Sequence, residues 1–234
     1  MQDYKKDINN YWGNLWSENR QGLDITDTVT PFKFKYFLKP FLDKIKWGGS
    51  VCEVGSGNCQ WLLLIHAYRP DLKLYGVDLT DEAVKIGKEY GIEVTQADTR
   101  DIPLEDGVYD FVYSWGVIEH MKESDKALSE QYRIAKKFFS VDVPYKNSFL
   151  VQRNIKRLKE AGKSDYEIMI EHGKAFDNDE FKELLFSVID KNDNVEILNN
   201  YMVMPYRLRG FERFLPDSLR KKLGHNIGAV VEKQ

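Results

Sequence analysis

The stretch Ser50-Val-Cys-Glu-Val-Gly-Ser-Gly-Asn58 constrains the fold of this chain more than any other. Val51, Cys52 and Val54 make a short apolar run of the kind that forms a buried strand. The run breaks at Gly55-Ser56-Gly57. Trp61-Leu-Leu-Leu-Ile65 then reads as a helix, with Asn58 placed to cap it. Strand, glycine turn and helix in that order make a nucleotide-type site. Glycine lets the backbone turn tightly and approach a ligand closely. The start of a helix offers free N–H groups to anything negative. A second strand, Leu72-Lys-Leu-Tyr-Gly-Val-Asp78, ends in an acid. In dinucleotide-type units an acid roughly 20 residues beyond the glycines binds a ribose diol. Asp78 has that position, and it is also placed to cap a helix starting near Asp81.

Strand and helix patterns then alternate. Asp81 to Tyr90 reads as a helix and Ile92 to Ala97 as a strand. Ile102 to Gly107 is a loop, and Asp110 to Ser114 a strand. Ser124 to Lys137 reads as a helix, and Phe138 to Val143 as a strand ending at Pro144. Repeated βαβ units imply an α/β fold with a doubly wound, mostly parallel sheet. Ligands in such folds bind outside the carboxyl ends of the strands. Asp78, Asp98 and the turn Ser114-Trp115-Gly116 all lie at such ends.

The flanks differ from this core. Tyr11, Trp12, Leu15 and Trp16 recur at helical spacing. Trp16 is expected to pack on the body, whereas Tyr11 and Trp12 are placed to close over a ligand. Thr30-Pro31 starts a second helix through Phe34, Phe37 and Leu38, which Pro40 is expected to stop. After Pro144, Leu150 to Gly162 and Asp177 to Val188 read as helices, the latter capped by Asp177. Asn194 to Met204 and Asn226 to Glu232 read as strands. With no repeat or linker, the chain is expected to be one domain over 1–234. It would comprise a helical cap (1–46), a ligand-binding core (47–144) and a substrate side (145–234).

Composition narrows the function classes. The 234 residues are 42% hydrophobic, enough for a core, and the formal charge of −3 gives no global field to recruit nucleic acid. The only cysteines, Cys52 and Cys59, lack metal-site spacing, so no metal is expected. No apolar signal region or bilayer-length run is present, which together with few cysteines suggests the cytoplasm. The segment 207–222 mixes basic residues with Phe211, Phe214, Leu215 and Leu219. It reads either as a peripheral membrane contact or as a helical insertion with a solvated basic face, its charge diluted by Glu212 and Asp217.

Four segments in order resemble the class I S-adenosylmethionine-dependent methyltransferases, in particular the broad small-molecule type. They are Val51-Cys-Glu-Val-Gly-Ser-Gly57, Tyr75-Gly-Val-Asp-Leu79, Ala97-Asp-Thr-Arg-Asp-Ile-Pro-Leu104 with Tyr109-Asp-Phe-Val112, and Ser114-Trp-Gly-Val-Ile-Glu-His-Met121. The resemblance covers the chain from about Trp47 onward. It implies a seven-stranded Rossmann-like sheet with a reversed C-terminal hairpin, and S-adenosylmethionine as cofactor. It places Glu53, Gly55, Ser56 and Gly57 under the methionine part, Asp78 on the ribose and Leu79 beside the adenine. Asp98 would accept from the adenine amino group, with Thr99 its neighbour, and Ser114 and Trp115 would line the sulfonium. The family often has glycine where Cys59 stands.

Methyl transfer needs an aligned nucleophile, and a base only when the acceptor still holds a proton at working pH. His120 reads either as that base or as a structural histidine bonded to backbone. Tyr145 either faces the acceptor or packs as an ordinary tyrosine. Glu119, Tyr11 and Trp12 complete the expected substrate side, with Glu119 also placed to hold its loop. The Asn/Asp-Pro-Pro-Tyr/Phe motif of amino-methylating nucleic-acid enzymes is missing after the fourth strand, and no cysteine lies near Pro144 for covalent cytosine chemistry. The expected acceptor is therefore a small molecule, sugar or lipid-linked group methylated on oxygen or nitrogen. The competing readings are a protein or RNA methyltransferase, a nicotinamide-dependent oxidoreductase and a non-catalytic cofactor-binding module.

Overall fold

In the computed structural model, which describes residues 4–18, 33–199, 216 and 224–234, the strand Ser50–Val54 (β1) lies inside the sheet. Lys73–Asp78 (β2) and Tyr109–Trp115 (β4) flank it, both parallel to it. Glu93–Gln96 (β3) extends the sheet beyond β2, and Ala135–Pro144 (β5) extends it beyond β4. Asn226–Glu232 (β7) runs antiparallel to β5, and Asn194–Asn199 (β6) pairs antiparallel with β7 at the edge. The order is therefore β3-β2-β1-β4-β5-β7-β6, the seven-stranded sheet with a reversed final hairpin that the sequence led us to expect.

Strand chemistry explains the layering. Successive side chains point to opposite faces, so neighbours along one strand enter different cores. Cys52, Val112, Phe139 and Ile227 pack on one face, while Val51, Phe111, Phe138 and Val230 pack on the other. Burial on both faces is why β1, β4 and β5 read as apolar runs rather than alternating ones.

The helices are Tyr4–Glu18 (α1), Lys39–Leu42 (α2), Gln60–Tyr68 (α3), Asp81–Tyr90 (α4), Ser124–Ile134 (α5), Phe149–Glu160 (α6), Asp165–Glu171 (α7) and Asn178–Phe186 (α8). A π-helical turn at Phe34–Leu38 precedes α2. Among the described residues no helix is long and apolar enough to cross a membrane.

Four local expectations need correction. Pro40 does not stop a helix; it stands in the first turn of α2, where a missing N–H costs nothing. The helix from Ser124 ends at Ile134 rather than Lys137, because Ala135 pairs with Tyr109 and draws the chain into β5. Asn58 is not the cap of α3: that position belongs to Cys59, although the Asn58 side chain accepts a long 3.4 Å bond from Gln60 N–H. Helix α7 was not expected, although Ser164 and Glu167 form a capping box around its first turn. The start proposed at Thr30-Pro31, the strand end to Met204 and, apart from residue 216, the basic segment 207–222 lie outside the described residues.

Candidate functional site

The strand tips around β1 build one site. Gly55 adopts φ +80° and Gly57 φ +46°. The N–H groups of Gly55 and Ser56 donate to Val77 O at 2.7 and 3.2 Å, folding the turn over the end of β2. A Cβ on Gly55 would run into Val117, so glycine is required there by both conformation and space. Cys59, which ends the turn, adopts φ +59°, the left-handed conformation that glycine accepts freely.

Asp78 braces this turn from the tip of β2. One carboxylate oxygen accepts from Gly57 N–H at 2.9 Å, and the other from Thr80 N–H at 2.9 Å and Thr80 Oγ1 at 2.7 Å. Burial raises the Asp78 carboxyl against the pull of those bonds. Thr80, not Asp78, caps α4, accepting from Ala83 N–H at 3.3 Å. Beneath the turn, Glu53 is buried, its carboxyl pushed up by desolvation, and its Oε2 has no partner among the described residues.

A cavity of about 290 Å³ opens at these tips. Gly55, Asp78 and Leu79 line it from β1 and β2, Asp98, Thr99 and Arg100 from the turn after β3, and Trp115, Gly116 and Val117 from the end of β4. Tyr4, Ile8, Trp12 and Trp16 of α1 form its roof. Trp12 stacks on Trp16 at 5.5 Å, and the Trp16 ring sits so close over Gly57 that a Cβ there would fall 2.7 Å from it. Trp16, expected to be a packing residue, is thus a wall of the cavity.

The remaining expected residues fall into two groups. Thr99 is buried and accepts from Gln131 at 2.7 Å. Asp98 lines the cavity, but its carboxylate already holds Arg100, at 2.9 and 2.7 Å, and Lys5 at 3.0 Å. Burial alone would raise the Asp98 carboxyl; the Arg100 and Lys5 hydrogen bonds outweigh it and hold it well below the usual range. Of these partners Lys5 is the exposed one, at 60% of its side chain. Glu53, Ser56, Gly57, Ser114 and Glu119 do not line the cavity, and neither does Tyr11, whose ring meets that of the lining residue Trp12 edge-on at 5.3 Å. Tyr145 does not reach the cavity. It is buried in the core, bridged to Phe176, which favours its reading as a packing residue.

His120 lines the cavity and is buried beneath the edge of Trp12, at 5.1 Å between rings. Its Nδ1 lies 2.9 Å from Met169 O. A carbonyl only accepts, so Nδ1 carries the proton and the lone pair is on Nε2. Burial holds the ring down at about 4, so it is neutral at pH 7. Glu119 is 2% exposed, its carboxyl pushed up to about 8 by desolvation, and its Oε2 has no partner among the described residues.

Sequence reasoning missed Tyr4, Ile8 and Arg100. The signal for the first two was present: Tyr4, Ile8, Trp12 and Trp16 are spaced by four, one stripe of a helix. Arg100 carried no signal of its own, because its role comes from folding back on Asp98.

Residues 52–138 match the family model described as a methyltransferase domain. Over 99 residues the chain is 26% identical to a demethylmenaquinone methyltransferase of Staphylococcus carnosus, a match covering 40% of this chain and 41% of that protein. Over 92 residues it is 32% identical to ajmaline N-methyltransferase of Rauvolfia serpentina, covering 36% and 30%. The matches thus span less than half the length of either relative. A similar solved fold is magnesium protoporphyrin IX methyltransferase of Synechocystis with bound S-adenosylhomocysteine, at TM-score 0.63 and 12% identity, covering 98% of this chain and 100% of that one.

Proposed function

From the premise that this chain carries a class I S-adenosylmethionine-dependent methyltransferase domain, we propose that it transfers the cofactor's methyl group to an oxygen or nitrogen of a small-molecule, sugar or lipid-linked acceptor. The observation that carries this reading is the convergence of four separate sequence segments on one cavity at the strand tips. The residues suit the cofactor chemically. The glycine turn gives it a close approach, with buried Glu53 and Ser56 beneath the turn at the proposed amino-acid end. Asp78 would take the ribose and Leu79 the adenine face, with Asp98 and Thr99 at the purine edge. Asp98 would then exchange its exposed partner Lys5 for the adenine amino group.

The cofactor supplies an activated methyl, so the chain's own work is to position and to exclude water. Trp115, Trp12 and Trp16 give the cavity dry walls. His120 Nε2 is the proton acceptor available to a protonated nucleophile, oriented by the Met169 carbonyl. Names of the relatives speak for a small acceptor, and free, buried Cys52 and Cys59 for the cytoplasm. A peripheral membrane contact through 207–222 would suit a lipid-linked acceptor.

Calorimetric titration with S-adenosylhomocysteine and with NAD tests the reading. We expect saturable binding of the first alone, weakened at least about tenfold in Asp78→Ala, the worth of one charge-assisted hydrogen bond. Binding of NAD alone would overturn it. His120→Ala should keep that affinity and slow turnover; an unchanged rate would remove the base role.

A further inference from the structure

Next to the cavity, behind Trp115 and Gly116, lies a set of buried polar side chains that the cofactor roles leave unused. Lys33 Nζ is ion-paired to Asp142 at 2.8 Å and sits 4.6 Å over the Trp115 ring. Asn226 Nδ2 donates to Asp142 Oδ1 at 3.2 Å. His225 feels the charges of Lys33, Asp142 and His172, and Glu119 those of Asp142 and Lys33. Glu119 does not line the cavity but lies just behind its Gly116 wall, its Oε1 3.8 Å from where a Cβ of Gly116 would stand.

Most buried polar atoms in a folded protein have partners. Here Glu119 Oε2, Asn226 Oδ1, His172 Nδ1 and His225 Nδ1 have none among the described residues. Glu119 and Asn226 are more than nine-tenths buried, at 2% and 9% exposure. These atoms belong to residues linked through the Lys33–Asp142 pair, Trp115 and the Gly116 and Gly173 backbone, just behind the wall of the cavity, and their unspent hydrogen-bonding capacity points to a missing polar ligand. The inference rests on the methyltransferase reading. We infer that this cluster is the acceptor pocket and that it takes a neutral, hydroxyl-rich molecule, which would be methylated on oxygen.

Two arguments select that class. The first is hydrogen-bond chemistry. Asp142 accepts only, so Asn226 turns its amide nitrogen to Asp142 and leaves its oxygen as a pure acceptor. The histidine nitrogens can donate or accept according to tautomer, and a protonated carboxyl does both. A hydroxyl, which also donates and accepts, satisfies all of them. The second argument is charge. Lys33 and Asp142 cancel. Burial keeps His172 and His225 neutral and pushes the Glu119 carboxyl up to about 8. With the charges of Lys33 and Asp142 already spent on each other, no net opposite charge is left to compensate the desolvation of a buried ammonium, carboxylate or phosphate. In the transfer, the acceptor oxygen forms the new bond to the methyl carbon as the sulfur–carbon bond breaks. The hydroxyl proton passes to His120 Nε2, and the sulfur keeps the electron pair as the thioether.

One scaffold with four substituents tests this. Glucose, glucosamine, glucuronate and glucose 6-phosphate are titrated at millimolar concentration into the full chain saturated with S-adenosylhomocysteine, and thermal shift is read. The expected result is stabilisation by glucose that exceeds that by its three charged analogues. Asn226→Leu should weaken the glucose effect about tenfold while leaving S-adenosylhomocysteine affinity unchanged. A charged analogue that stabilises more, equal shifts from all four, or no shift from any overturns the inference. Failure to bind S-adenosylhomocysteine would instead overturn the methyltransferase reading.

Discussion

The two sides of the cavity treat their buried polar groups differently. On the side of β1 and β2, Asp78 has both oxygens engaged by its own chain, through Gly57 and Thr80, and the backbone is set before any ligand arrives. On the side of β4, β5 and β7, Glu119, Asn226, His172 and His225 hold atoms without partners among the described residues. On the first side Asp78 spends its carboxylate on the rigidity of the turn, which preorganises a loop that must come close to a ligand, although Glu53 Oε2 beneath that turn also lacks a partner among the described residues. The second stores unsatisfied capacity, a destabilising arrangement that a bound acceptor would relieve. Substitutions on the first side should therefore act on cofactor binding and folding together. Substitutions on the second should spare the cofactor and act on the acceptor and on pH response.

Gly55→Val should give the largest effect. It places a β-branched residue at φ +80° and drives its side chain into Val117. We expect a loss on the order of 3 kcal/mol in chemical denaturation and no measurable binding of S-adenosylhomocysteine. Retained binding would mean that the turn is less fixed than its hydrogen bonds indicate, and the contrast between the two sides would fail.

Glu119→Gln probes the other side. The folded carboxyl titrates near 8 because burial raises it, against 4.5 for the free group. Between these values the folded state holds a proton that the unfolded state releases, so wild-type stability falls as pH rises through that window. Glutamine removes the penalty, so the variant should gain on wild type by about 2 kcal/mol between pH 6 and pH 8. His120 slopes the other way: its folded value is depressed to about 4, so its contribution is lost as pH falls below 6.5. Denaturation midpoints across pH check both, and a flat difference between wild type and Glu119→Gln would show that this carboxyl is ionised and hydrated.

Trp16→Ala should cost less, because it opens the roof without touching the loop's own bonds. Loss of the ring over Gly57 should weaken S-adenosylhomocysteine binding by roughly tenfold in calorimetry, with a small change in stability. Trp12→Ala, further along the same stripe, should act more on turnover through its contact with His120. Equal effects of the two on cofactor affinity would merge the two sides at the roof.

This division also explains what could be read from the chain beforehand. The sheet and the cofactor side were legible because they are local: an apolar run, a glycine turn and a strand-end acid lie within one βαβ unit, and each constrains its neighbours. The other side was not. Glu119, Lys33, Asp142, His172 and Asn226 come from five distant stretches, and it takes the pairing of β5 with β7 and the docking of loops on them to bring these residues near one another. Tyr145 illustrates the limit. Its place after β5 left it open whether it faces the acceptor or packs, because its surroundings depend on the pairing of Tyr145 with Phe176, which nothing local encodes. Helix ends failed for the same reason, as at Ala135, where strand pairing overrode helical pattern.

Cys59 is where the smallest effect should appear, and it tests how completely the cofactor side is preorganised. At φ +59° a non-glycine residue carries a strain of about 1 kcal/mol. Cys59→Gly relieves it but gives up a fully buried side chain in the core cluster that also holds Leu62 and Ile65, and makes the unfolded chain more flexible. The two terms nearly cancel, so stability should move by less than about 1 kcal/mol, with S-adenosylhomocysteine affinity unchanged. Cys59→Val keeps apolar volume but is β-branched, which the left-handed region tolerates poorly, and should lose about 2 kcal/mol. If glycine instead destabilises as much as valine, packing rather than backbone conformation holds the turn, and the rigidity assigned to the loop would belong to the helix behind it.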